Sequence, residues 1–213
     1  MLLSTAYFPP IEYFALMAKC SIVYMEGCES YAKQSYRNRC RILTANGVED
    51  LRVPIVHGPS KLITDICVDY KTPWVRQSEY AIESAYYNSP FFEYYKDELF
   101  AILDAHPERL WDLNLQIIEF FCRKIGIAPQ IVRTSDFTMP SNDSQDHRFS
   151  IHPKKESSYE ARPYYQVFRD KWGFVPNLSI MDLLFNEGPE SICYLYVGGS
   201  TSLRQFILAG RTA

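Results

Sequence analysis

The chain has 213 residues, of which 47% are hydrophobic and 22% charged, and its formal net charge is −3 at pH 7. That length suits one domain with a substantial core, and with no stripe of Lys and Arg the slight acidity excludes a general nucleic-acid binder. No run approaches the ~20 apolar residues of a membrane span, no basic leader precedes Pro9-Pro10, and six cysteines without a C-x-x-C pair suit free thiols in a reducing cytoplasm.

Leu2 to Phe8 reads as a short strand ended by Pro9-Pro10. Apolar residues at 11, 14, 15, 17 and 18 predict a helix over Ile11 to Lys19. Ser21 to Met25 reads as a buried strand, so the chain opens with a small β-α-β unit of the usual parallel, right-handed kind. The densest cationic run follows, from Tyr31 to Ile42, and leads to Asn46-Gly47. Asn-Gly is the pair a type I′ turn demands, because both central residues need positive φ. A two-residue loop there pairs Ala45 with Val48, Leu43 with Asp50, Ile42 with Leu51, Arg41 with Arg52 and Cys40 with Val53. Cys40, Ile42, Leu51 and Val53 then share an apolar face, and Arg37, Arg39, Arg41 and Arg52 share the other.

Arginines directly opposed across a ladder repel by roughly several tenths of a kcal/mol. Two readings follow. Either the guanidiniums converge on an anion, phosphate or diphosphate suiting their planar geometry best, or they form a solvated face eased by Glu29, Glu49 and Asp50, with the register open to a shift of one.

Lys61 to Tyr70, with Leu62, Thr64, Ile66 and Val68 on one face, reads as a further strand, and Pro73 stops it. A helical layer over residues 74–126 comes next. It comprises Val75 to Tyr87, Phe91 to Ala105 with Ser89 as N-cap and Pro90 at the first position, and Glu108 to Ile125 closed by Gly126. Ile127 to Arg133 returns as a strand. Residues 138–162 read as a long polar loop of the kind that is functional or disordered. Pro163 to Arg169 reads as a last strand or turn. A helix within Phe174 to Pro189 is capped by Asn177 or Ser179, with Leu178, Met181, Leu184 and Phe185 as its stripe. A short helix, Glu190 to Val197, precedes a frayed tail over 198–213. The expected architecture is α/β in one domain over residues 1–197: a mixed sheet with an N-terminal β-α-β unit, an Asn-Gly β-hairpin and a helical layer.

Candidate chemistry gathers at the hairpin. The end of the first strand and the start of the first helix meet near it, and helix N-termini attract phosphate. Arg39, Arg41 and Arg52 are expected to hold the anion, with Lys33 and Tyr31 lining the pocket. Asp136, at a strand end that borders a cleft in α/β sheets, and Asp182, flanked by Leu and Met, are candidates for acid–base work. A carboxylate placed like Asp182 more often caps a neighbouring turn or pairs with an arginine, so the structural reading stands beside the catalytic one. His57, His147 and His152 lack ligand spacing, so no metal is expected, and no G-x-S-x-G, Walker A or G-x-G-x-x-G run occurs.

Several motifs resemble those of the WbqC-like family of bacterial proteins. Tyr7-Phe8-Pro9-Pro10-Ile11-Glu12-Tyr13-Phe14 is similar to the family's Tyr-Leu-Pro-Trp-x-Gly-Tyr-Phe. Tyr31-x-Lys33, Asn38-Arg39-x-Arg41-Ile42, Asn46-Gly47, Val53-Pro54, Trp74, Tyr86-Tyr87 to Tyr94-Tyr95, Leu113-Asn114 and Thr134 to Phe137 continue the likeness. The block from Phe174 to Pro189, with Asp182 and Asn186, is its most specific piece. With these motifs Tyr7, Asn38, Asn177 and Asn186 join the candidate substrate-binding residues. Leu3-Ser4-Thr5-Ala6 and Gln77-Ser78 stand where the family carries histidine-containing runs, and the region after Asp136 is shorter. The resemblance implies a transferase-like protein of bacterial surface-polysaccharide (O-antigen-type, lipopolysaccharide) biosynthesis, with no resident cofactor, binding an anionic nucleotide-sugar or phosphosugar. The alternative is a non-catalytic binding or scaffold protein of the same pathway. Oligomeric state is not legible.

Overall fold

The computed structural model describes residues 1–56, 58–139 and 145–196. His57 and the expected tail over 198–213 lie outside the described residues, as does part of the polar loop. Apolar alternation makes β1 (Leu2–Ser4) and β2 (Ile22–Glu26), and the helical apolar spacing between them makes α1 (Ile11–Met17). With β5 (Gln130–Arg133) they build a parallel sheet in the order β1-β2-β5. Val23 and Met25 face the core, but Ile22 and Tyr24 are 40% and 45% exposed. The central strand is therefore buried on one face only, not on both as its apolar run suggested.

The hairpin, β3 (Arg39–Thr44) and β4 (Gly47–Arg52), is an antiparallel sheet of its own. Its register differs from the expected one. Thr44 faces Gly47, Leu43 faces Val48, Ile42 faces Glu49, Arg41 faces Asp50, Cys40 faces Leu51 and Arg39 faces Arg52. Thr44 is the cause: its hydroxyl accepts the Asn46 N–H at 3.0 Å and lies 2.9 Å from Glu49 Oε1. The chain reverses at Ala45-Asn46 in a side-chain-closed turn, and of the Asn-Gly pair only Gly47 takes positive φ, 108°. The shift leaves Cys40, Ile42, Leu51 and Val53 buried.

The helical layer consists of α2 (Trp74–Tyr86), α3 (Phe92–Asp104) and α4 (Leu110–Ile125), the last closed by Gly126 in the left-handed region at φ 84°. Phe91, not Ser89, stands at the N-cap of α3, and its N–H is taken by Phe185 O at 2.9 Å. Lys61 to Tyr70 is not a strand. Ile63–Asp65 forms one 3-10 turn, which the three-residue spacing of buried Ile63 and Ile66 fits better than alternation. α5 (Arg169–Trp172), α6 (Ile180–Glu187) and α7 (Ser191–Leu195) complete the fold. Ser179 Oγ accepts the Met181 N–H at 3.4 Å and caps α6. α2 and α6 pack on β3, and α1 packs on α6 and α7. Among the described residues no helix is long and apolar enough to cross a membrane.

One side chain fastens the segment around 145–151 to the sheet. Arg148, fully enclosed, donates from Nη1 to Glu26 Oε2 (2.8 Å) and Thr138 O (2.7 Å). Its Nε and Nη2 grip Asp146 at 2.9 and 2.7 Å. Phe137 and Phe149 lie 5.3 and 5.7 Å from the guanidinium, and Leu2 exchanges backbone hydrogen bonds with Gln145 and His147 beside it.

Candidate functional site

The expected cationic face is divided by the geometry of the chain. Strand alternation begins only at Arg39, so Arg37 turns inward from the preceding turn. It is 4% exposed; its Nε donates to Glu29 Oε1 at 2.8 Å, and its Nη2 bonds Glu29 Oε2 and Ser4 Oγ. It therefore leaves the face expected to carry it with Arg39 and Arg41. Arg39 and Arg52 do oppose each other, and Asp50 Oδ2 accepts from both, at 3.1 Å each. An acid of the hairpin itself thus eases their repulsion, through contacts exposed enough to be worth at most about 1 kcal/mol.

Beside this triad, Tyr31, Lys33, Asn38, Arg39 and Arg52 line a cleft of about 420 Å³. Three cations stand there against the one carboxylate of Asp50. Asn38 Nδ2 donates to Val53 O at 2.9 Å. Asn38 Oδ1 and Arg39 Nε, both enclosed, have no hydrogen-bond partner among the described residues. Burial pushes the Tyr31 hydroxyl up, while Arg39 and Arg37 pull it down. The ring therefore sits in the field of those charges.

Arg41 belongs to a second cleft. It faces Asp50 across the ladder yet forms no ion pair among the described residues. With Glu12, Tyr36, His152, Lys155 and Asn177 it lines about 460 Å³. A neighbouring space of about 410 Å³, bounded by Ala15, Leu16 and Lys19 of α1, shares Glu12, Ser150 and Tyr159 with it, so one groove runs along α1. The N-terminus of α1 is not an open phosphate seat. The Ile11 N–H goes to Leu178 O (3.0 Å) and the Glu12 N–H to Asn177 Oδ1 (2.9 Å). Asn177 holds φ 52°, a left-handed conformation Asn tolerates. It thereby caps α1 from across the fold, and its Nδ2 also reaches Glu12 Oε2 at 3.1 Å. Ser157 Oγ donates to the same oxygen at 2.7 Å. His152 is held below its ordinary value by burial first and then by Lys155, Arg37, Lys154 and Arg39.

The remaining candidates lie elsewhere. Tyr7 is fully enclosed, edge-on to Phe8 and Trp74 at centroid distances of 4.5 and 6.5 Å. Asp182 is buried in α6, where its Oδ2 accepts from Tyr164 at 2.5 Å and Gln166 at 2.7 Å. Burial pushes its carboxyl up to about 6 against the lowering effect of the hydrogen bonds from Tyr164 and Gln166. Asn186 is buried one turn on, donating to Asp182 O at 2.7 Å. Asp136 is exposed just past β5, accepting from Ser135 Oγ at 2.9 Å. Neither aspartate lines the hairpin cleft or the groove along α1. Sequence reading missed Glu12, Ser157 and Tyr159, and weighed His152 only as a metal ligand. Only Glu12, an acid within the apolar first helix, left a signal.

The sequence profile of the WbqC-like protein family matches residues 5–158. The Phe174 to Pro189 block, quoted above as the most specific part of the resemblance, lies beyond that stretch. The chain is 26% identical over 217 residues to the uncharacterized protein Rv1507c of Mycobacterium tuberculosis, a match covering 89% of this chain and 94% of that protein. No solved structure matches it at a significant level. The matched stretch holds α1, β2, the hairpin, the helical layer, β5 and both clefts' basic residues: this chain belongs to the WbqC-like protein family.

Proposed function

We propose that this protein binds an anionic, phosphate-bearing sugar or nucleotide-sugar at the hairpin cleft, as a transferase-like member of a bacterial surface-polysaccharide pathway in the cytoplasm. One observation carries the reading. Five residues singled out from the sequence, Tyr31, Lys33, Asn38, Arg39 and Arg52, converge on a single cleft. Its charge balance is two positive, and an enclosed guanidinium N–H there lacks a partner among the described residues. Phosphate matches planar donors of this kind, and the size is that of an ordinary small-molecule site. Six free cysteines fit the reducing compartment. Of the two aspartates, Asp136 is the one accessible to a substrate, and Asp182 holds the Tyr164–Gln166 segment to α6. The enclosure of Asp182 favours the second reading, a non-catalytic binding or scaffold protein of the same pathway.

A thermal-shift screen of nucleotides, nucleotide-sugars and sugar phosphates tests this. A stabilising ligand whose effect disappears in Arg39→Ala supports the site. A screen without any stabiliser, or one whose hits ignore Arg39→Ala, overturns it.

A further inference from the structure

We infer that the groove along α1 is a second binding site, built for a monosaccharide that carries one anionic group. It is separate from the hairpin cleft, and the inference stands if the reading of that cleft fails. Glu12 and Arg41 are left without ionic partners among the described residues, in a groove that Lys19, Lys155, Glu156 and Glu160 also line. Glu12, 9% exposed, has no cation within ion-pair distance. Neutral donors hold one of its oxygens, Oε2: Ser157 Oγ at 2.7 Å and Asn177 Nδ2 at 3.1 Å. Its backbone N–H is fixed by the same asparagine at 2.9 Å. The carboxylate is thus oriented in advance by a residue in a left-handed conformation, φ 52°, while Oε1 is left for an incoming hydroxyl. Arg41 stands in the same groove without joining Glu12 or any other described carboxylate.

A carboxylate and a guanidinium that share a cleft without closing on each other select a ligand with hydroxyl donors at one end and an anion at the other. Charged groups form hydrogen bonds about twice as strong as neutral ones. Tyr159, its hydroxyl tied to Tyr194 O at 2.7 Å, supplies a fixed ring on the wall shared by both halves. Lys155 adds a second cation beside Arg41. The wall formed by residues 150–159 is anchored rather than loose. The enclosed Arg148 holds one end, and a hydrogen bond from Lys154 to Gln34 ties the middle to the turn before β3. The two halves, about 460 and 410 Å³, each lie within the range of small-ligand sites.

The anion is a uronate carboxylate or a sugar phosphate, and calorimetric titration of the full chain separates them. The probes are galacturonate, glucose 6-phosphate, neutral galactose and inorganic phosphate. At least one acidic sugar is expected to bind about tenfold or more tightly than galactose and inorganic phosphate. Glu12→Gln and Arg41→Gln should each weaken it by about tenfold or more. Lys155→Ala, on an exposed side chain that does not endanger folding, should weaken it to a smaller degree, and the distant Arg76→Gln should leave it unchanged. Binding of galacturonate alone, or of glucose 6-phosphate alone, supports the site and identifies the anion. Absence of binding by either acidic sugar, unchanged affinity in both Arg41→Gln and Lys155→Ala, or inorganic phosphate binding as well as glucose 6-phosphate overturns it.

Discussion

Replacing Arg148 by Met tests whether the segment around 145–151 is fixed by one buried charge. Among the described residues Arg148 is the one cation paired with Glu26, and both side chains are wholly enclosed. In the variant Glu26 Oε1 keeps the Cys28 N–H (2.9 Å) and the Thr134 hydroxyl (2.7 Å), but Oε2 loses its charged donor. Asp146 loses a two-point grip and Thr138 O a hydrogen bond. Removing one partner of a buried pair costs about 3–5 kcal/mol because a charge stays behind uncompensated. For a chain of this size that lowers the melting temperature by roughly 6–20 °C. Urea denaturation followed by circular dichroism measures the free energy directly. Glu26→Gln in the same chain removes the stranded charge and should restore a large part of the loss. A single-variant cost below about 1 kcal/mol, or a double variant no better than additive, refutes the assignment.

Asn177→Ala removes the cap on α1 and places a Cβ residue without a local hydrogen bond at φ 52°; a loss of about 2–3 kcal/mol is expected in thermal melts, and Asn177→Gly should recover part of it. Asp182 has its folded value raised to about 6 from 3.8, so the folded state binds its proton more tightly than the unfolded chain. Its contribution is full below pH 4 and disappears as pH rises through 6, a loss of about 3 kcal/mol; denaturation across pH 4–7 should show that slope, and Asp182→Asn should flatten it.

The sequence made the β-α-β opening, the hairpin strands and the three-helix layer legible because each carries a pattern set by its own period. Local chemistry of a finer grain decided what was misread. The Thr44 hydroxyl moved the hairpin's pairing by two residues, a shift that keeps every side chain on its face and that no alternation rule registers. The Ile63–Asp65 turn occupies a stretch whose apolar positions mimic a strand. The first helix was legible, but its cap was not, because the capping residue, Asn177, lies 165 positions away from Glu12. Convergence of Tyr31, Lys33, Asn38, Arg39 and Arg52 was readable since a turn and a hairpin bring them together locally. The groove along α1 was not, because its walls come from α1, β3, residues 150–160 and Asn177. Arg37 was misassigned for a related reason: strand alternation was extended across a turn that reverses the side chain toward Glu29.

Both clefts draw on one face of β3. Arg39 and Arg41 are two residues apart on a strand, so their Cα atoms are about 7 Å apart, and Asp50 is the acid between them. Asp50 is paired in register with Arg41 but spends its Oδ2 on Arg39 and Arg52. It therefore competes with any anion in the hairpin cleft and lowers the positive potential at Arg41 as well. Removing its charge by Asp50→Asn should strengthen anion binding in the hairpin cleft several-fold. The effect should shrink as salt is raised, because contacts this exposed are screened within about 10 Å at 0.1 M. The fold should lose little, about 1 kcal/mol or less, from the freed Arg39–Arg52 repulsion. Titration of a phosphate-bearing ligand at two ionic strengths measures both effects. Weaker binding in Asp50→Asn at low salt means that Asp50 holds the arginines in their binding geometry, and that organisation outweighs charge at this site.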